Sequence, residues 1–204
     1  MKNVYRVFGD IWSGNCYKIK LMLEFLSLPY TWQQVDILAG ETQVDTFLSI
    51  NGNGKVPVLQ ISEHEFLSES NAILNYLAEG SSWLPDSGLL RARVLQWQFF
   101  EQYSHEPYIA VARYLNKYLG LPEERLDEYH SKQQGGHKAL AVMERQLTKT
   151  VYLVDDNPSI ADISLYAYTQ VAHEGGFDLS GYPAINRWLE QFSSLPGYVA
   201  MPDC

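Results

Sequence analysis

The sequence predicts a small α/β unit followed by an all-helical unit. Three observations carry this. Short β-forming runs alternate with helical patterns over the first 80 residues. A stretch rich in glycine, serine and proline follows, and from residue 89 onward only helical periodicity remains. The expected organisation is an α/β domain at 1–80, a linker at 81–88 and a helical domain at 89–204.

Residues 4–8 are rich in β-formers and read as a strand, entered directly from Met1, Lys2 and Asn3. Residues 9–14 read as a loop. Residues 16–28 place Ile19, Leu21, Met22, Leu23, Phe25 and Leu26 on a broad helical face, and Pro29 ends it. Residues 30–37 read as a second strand, and a polar helix or turn follows at 42–49. Residues 58–61 and 65–67 read as a short hairpin, and residues 70–78 as a helix. The order is β-α-β-α-β-β-α, which is thioredoxin-like. Gly80, Ser81, Ser82, Pro85, Ser87 and Gly88 mark the linker. Helical patterns then cover 89–118, 123–148, 160–173 and 184–193.

The chain has 204 residues, 46% of them hydrophobic and 19% charged, a globular balance with enough length for a core. Its formal net charge of −9 gains nothing from a phosphate backbone, so nucleic acid is not an expected partner. No apolar leader and no apolar run long enough to span a bilayer is visible. Two cysteines, Cys16 and Cys204, make no disulfide framework and suit a reducing, cytoplasmic setting.

Four local patterns carry chemistry. In Val56-Pro57-Val58-Leu59 the proline precedes a strand. It is either an ordinary edge or turn residue, or a cis-proline that turns the Val56 amide and carbonyl outward for an extended peptide. Glu69-Ser70 stands directly before a helix. It is either a simple cap, or a site where Ser70 and the helix amides hold a carboxylate while Glu69 holds an ammonium group. Ser13-Gly14-Asn15-Cys16 lies between the first strand and helix, where a thioredoxin-like chain would carry its cysteine pair. With serine first, disulfide exchange through a pair is lost, but a hydroxyl at a helix start can donate to a thiolate. The bland alternative is a Ser–Gly turn. Ser159 and Asp162 have the spacing of a capping box, a structural signal only.

Taken together, Asn51-Gly52-Asn53-Gly54-Lys55-Val56-Pro57-Val58-Leu59, Glu69-Ser70-Asn71-Ala72-Ile73 and the Ser159–Asp162 box resemble the cytosolic glutathione transferase family over nearly the whole chain. The family usually has proline where this chain has Gly52. The resemblance implies a detoxifying enzyme that binds glutathione as co-substrate, needs no metal, and conjugates it to small hydrophobic electrophiles. It also implies a homodimer. Val56 would pair with the cysteinyl part of glutathione, with Pro57 cis; Glu69 and Ser70 would hold its γ-glutamyl end. Lys55 would lie near the glycyl carboxylate or peptide backbone, or be a solvated loop lysine.

The resemblance leaves the thiol-activating residue open. The tyrosine of some classes falls on Gly9 here, and Tyr5 lies too early. Ser13 takes the place of the serine of other classes, with Asn15 and Cys16 as alternatives. An apolar electrophile pocket between the domains is implied, with Ile11, Trp12, Tyr103 and Tyr108 as candidates and Phe100 on the same long helix. His105, beside Glu106 and Pro107, reads as a capping or kink residue, and Arg113 faces either the pocket or an acidic partner. Competing functions are glutathione-dependent peroxide reduction or isomerisation, thiol redox chemistry at Cys16, and a non-catalytic interaction protein of the same fold.

Overall fold

The computed structural model describes residues 4–202. Met1–Asn3, which lead into the expected first strand, and Cys204 lie outside the described residues. The chain divides into two compact units, one running to Glu79 and taking in the segment from Leu195, the other spanning Gly80–Ser194. The terminal segment is thus counted with the first unit rather than with the helices that precede it. There the Tyr17 hydroxyl donates to the Val199 carbonyl at 2.7 Å.

In the first unit four strands lie in the order β2-β1-β3-β4. Strand β1 (Tyr5–Gly9) pairs parallel with β2 (Tyr30–Gln34) and antiparallel with β3 (Val58–Gln60), which pairs antiparallel with β4 (Phe66–Ser68). The parallel pair requires a crossover, and α1 (Gly14–Phe25) supplies it. Helix α1 ends three residues before the expected Leu28. Ser27 adopts φ +50°, a left-handed turn that stops the helix ahead of Pro29. Strand β2 also ends early, because the Asp36 side chain accepts from the amides of Leu38 and Ala39, both at 2.9 Å, and turns the chain. The polar stretch becomes a 3-10 turn (Glu41–Gln43) and one helical turn, α2 (Asp45–Leu48). Helix α3 (Ser70–Ala78) packs on α1. Val7, Ile19, Leu23, Leu59, Ile73 and Leu74 are fully buried in this unit.

The second unit is helical. Helix α4 (Gly88–Phe100), a π-turn (Glu101–His105), α5 (Glu106–Arg113) and a second π-turn (Tyr114–Tyr118) form one continuous run. Pro107 has no N–H to give back to the preceding turn, so the helix widens just before it. Helix α6 (Leu126–Leu147) packs on α5, and α7 (Ile160–Thr169) is buried over its whole length. Helix α8 (Pro183–Ser193) turns Trp188 and Phe192 inward; Phe192 stacks on Tyr166 with ring centres 4.2 Å apart. The capping box forms as its spacing predicts: Asp162 Oδ2 accepts from the Ser159 amide at 2.9 Å and the Ser159 hydroxyl at 3.0 Å. Among the described residues no helix is long and apolar enough to cross a membrane.

Candidate functional site

The site candidates of the first unit gather on three segments: the loop into α1, the loop into β3 and the start of α3. The peptide bond Val56-Pro57 is cis. Among the described residues nothing hydrogen-bonds the N–H or the C=O of half-buried Val56. One donor and one acceptor therefore stand ready for an extended backbone. The preceding loop is braced by Asn51, whose Nδ2 donates to the Lys55 carbonyl at 2.7 Å and whose Oδ1 accepts from the Asn53 amide at 3.1 Å. That bracing holds the turn without the family proline at Gly52, a residue with open space around it. Lys55 itself is exposed.

Glu69 caps α3 with φ +67° and ψ 111°, a conformation a non-glycine residue adopts only at a cost of about 1–3 kcal/mol. Its carboxylate is exposed and has no hydrogen-bond partner among the described residues. Ser70, 6% exposed, opens the helix. The two residues present an anionic side chain and a helix start side by side.

Ser13 is the N-cap of α1, with its Oγ accepting from the Cys16 amide at a long 3.5 Å. The loop is held by buried Asp10, which accepts from the Trp12 amide (2.9 Å) through its side chain and from the Ser13 amide (3.1 Å) through its carbonyl. Ser13 is half-buried. Cys16 is wholly buried, and burial pushes its thiol up to about 12 against a smaller opposing effect from Ser13. A Cβ on Gly9 would come within 2.9 Å of the Cys16 sulfur and 3.1 Å of the Trp32 ring, so no larger side chain, tyrosine included, fits there unless these neighbours shift. Asn15 Oδ1 accepts from Lys18 Nζ at 2.7 Å and from the Ser70 hydroxyl at 3.1 Å. The sequence reading missed Lys18. Its one signal is a charged residue one turn from Asn15, set between the apolar Tyr17 and Ile19.

Ile11 is half-buried and Trp12 is 37% exposed, both on the same loop as Ser13. In the second unit Tyr103 is 81% exposed on the first π-turn. Tyr108 is half-buried, its ring lying where a Cβ on Gly135 of α6 would come within 2.2 Å. The two tyrosines thus have different surroundings. Phe100 packs edge-on against Trp97 at 5.2 Å. His105 is buried, with Nε2 2.9 Å from Thr169 Oγ1; that hydroxyl gives its hydrogen to the Leu165 carbonyl, so the imidazole is the donor. This agrees with a structural role. Arg113 meets an acidic partner, its Nε 2.6 Å from Glu174 Oε2.

Comparison with known proteins follows the same division. Residues 12–79 match the glutathione S-transferase N-terminal domain, and residues 97–196 match the glutathione S-transferase C-terminal domain. A glutathione S-transferase from Pseudomonas fluorescens Pf-5 is 61% identical, with a TM-score of 0.96 over 98% of this chain and 100% of that one. The disulfide-bond oxidoreductase YfcG of Escherichia coli (strain K12) is 30% identical over 192 residues, 89% of this chain and 87% of that protein. A glutathione transferase family member from Pseudomonas fluorescens Pf-5, crystallised with two glutathione bound, shares the fold. It is 23% identical, with a TM-score of 0.84 over 97% of this chain and 91% of that one. With both halves matched and the close likeness covering nearly the whole chain, the protein belongs to the glutathione S-transferase family.

Proposed function

We propose that the chain is a glutathione transferase: it binds glutathione in its first unit, stabilises the thiolate with Ser13 and conjugates it to small hydrophobic electrophiles. The observation that carries this is the pairing of a half-buried Ser13 hydroxyl at the start of α1 with a sealed Cys16. A thiol held near 12 stays protonated at neutral pH and is a poor nucleophile, so the loop offers a hydroxyl and not a thiolate. Thiol redox chemistry at Cys16, the competing reading, lacks that thiolate.

Support for glutathione itself comes from the unpaired Val56 backbone, the exposed Glu69 carboxylate and Ser70 at the helix start. A peptide with a zwitterionic amino-acid end meets all three. Lys55 would reach its far carboxylate, and Ile11 and Trp12 would border the electrophile. Ser70→Ala is expected to weaken glutathione binding by roughly 1–3 kcal/mol, since a charged end loses one partner. Isothermal calorimetry measures this directly, and an unchanged affinity removes Ser70 from the site.

The proposed enzyme is a homodimer. Leu95, Phe99 and Tyr103 lie four residues apart along one helical face and are 39%, 62% and 81% exposed. Three large apolar side chains in one exposed row suit a covered face. Light scattering at micromolar concentration is expected to give twice the chain mass; a monomer mass counts decisively against this assembly.

A further inference from the structure

Lys18 is fully buried on α1. Its ammonium donates to Asn15 Oδ1 at 2.7 Å and to Ser70 Oγ at 3.4 Å, while the Ser70 hydroxyl donates to the same Asn15 oxygen at 3.1 Å. The three side chains close a triangle that ties the start of α1 to the start of α3. Burying an ammonium group costs several kcal/mol, and an apolar chain of similar volume would fill the space without that cost. Packing alone gives no reason for a lysine here.

The triangle has a directional consequence. A serine hydroxyl carries one hydrogen, and Ser70 spends it on Asn15. To donate to a ligand carboxylate, Ser70 must withdraw that hydrogen. Lys18 has three donors and no acceptor, so it can hold both Asn15 Oδ1 and Ser70 Oγ before and after the change. With its oxygen pinned by a cation, the Asn15 amide has a fixed orientation, and its NH2 edge is polarised into a stronger donor. Asn15 lies two residues after Ser13, in the first turn of α1, next to the loop proposed to face the thiol.

We propose that Lys18 is a positioning residue that couples the carboxylate-binding end of the site, at Ser70, to the thiol-activating loop, through Asn15. The inference rests on the proposed glutathione reading and deepens it. Lys18 does not touch the substrate. It keeps the Asn15 amide set while Ser70 turns to the ligand, and it places a fixed positive charge behind both. Ionisable groups adjoining the triangle are Asp10 and Cys16 on the loop side and Glu69 beside Ser70. Asp10 and Glu69 remain in every variant below, so a change in the thiol's titration is assigned to the triangle.

The test follows the ultraviolet absorbance of bound glutathione thiolate as pH is stepped, using the full chain and its Lys18→Met, Lys18→Arg and Ser70→Ala variants. Lys18→Met is expected to raise the pH of half-ionisation by about one unit, tenfold less thiolate below the midpoint. It should lower kcat by more than it raises KM. Lys18→Arg keeps the charge and is expected to hold the midpoint near the wild-type value even where its melting temperature falls. Ser70→Ala should move the midpoint as well as the affinity, because the link to Asn15 is cut; this variant decides the matter if Lys18→Met does not fold. Midpoints unmoved in Ser70→Ala and in every Lys18 variant that folds, with only melting temperatures lowered, overturn the coupling and leave Lys18 structural. A wild-type chain that binds no glutathione overturns the proposed function and this inference with it.

Discussion

Asp162→Ala is expected to destabilise the chain by about 3–5 kcal/mol, since several buried donors lose their acceptor at about 1–3 kcal/mol each. Asp162 is fully buried, and four donors converge on its carboxylate. Oδ1 accepts from the Leu153 amide at 2.9 Å and from the Trp188 indole at 3.0 Å, and Oδ2 accepts from the amide and hydroxyl of Ser159 at 2.9 and 3.0 Å. Alanine leaves two amides and an indole N–H buried without their acceptor and deletes half of the capping box. Asp162→Asn should recover little, since its amide hydrogens would face donors. At roughly 2–4 °C per kcal/mol for a chain of this size, thermal unfolding reads the loss easily. A melting temperature within a degree or two of wild type would show that the network is dispensable.

The same residue gives a pH signature. Burial raises the Asp162 carboxyl from 3.8 to about 6, against the pull of its four hydrogen bonds. The native state therefore holds this proton more tightly than the unfolded chain. Its contribution is fully present below about pH 4 and is lost as pH rises toward 6. Comparing wild type with Asp162→Ala across that window isolates the slope, and its absence from the alanine variant is the expected result.

The contrast within this one residue explains what was legible in the sequence. The Ser159–Asp162 pair is three residues apart and follows from helix geometry, so the box could be read directly. Leu153 and Trp188 lie 9 and 26 residues away and reach Asp162 only through tertiary packing. Ser13, Pro57, Glu69 and Ser70 were legible for the same local reason: each sits at the boundary of an element whose type the pattern announces. Lys18 was not, because a lysine in a helix reads as a surface residue until Ser70, 52 positions on, is seen beside it. The element ends at Phe25 and Gln34 were missed because single side-chain or backbone choices, at Ser27 and Asp36, overrode a pattern that continued past them. Tyr103 and Tyr108 lie on one predicted helical run, but periodicity places side chains on faces without saying which face meets solvent: Tyr103 is 81% exposed and Tyr108 half-buried.

Ser13→Ala is expected to slow conjugation tenfold to a hundredfold, about 1.5–3 kcal/mol of transition-state stabilisation, by removing one donor to the thiolate. The hydroxyl stands at the amino end of α1, where the helix amides already favour an anion. Its bond to the Cys16 amide is long, at 3.5 Å, so turning to a ligand costs the cap little. Folding should therefore suffer less than catalysis, by no more than about 1 kcal/mol. Glutathione affinity should change less than rate, because the proposed anchors at Val56, Glu69 and Ser70 remain. The thiolate is the nucleophile, so the rate should climb with pH until the bound thiol is ionised, and Ser13→Ala should move that climb to higher pH. Cys16→Ala supplies the control. A thiol buried against Gly9 and held near 12 stays protonated through the working range, so its loss should leave the profile in place. The measurement is a pH–rate profile of wild type and both variants with one reactive aromatic halide. If Ser13→Ala keeps the wild-type profile while Cys16→Ala loses activity, the roles assigned here are exchanged: the buried thiol must become accessible during turnover, and glutathione meets a cysteine rather than a hydroxyl.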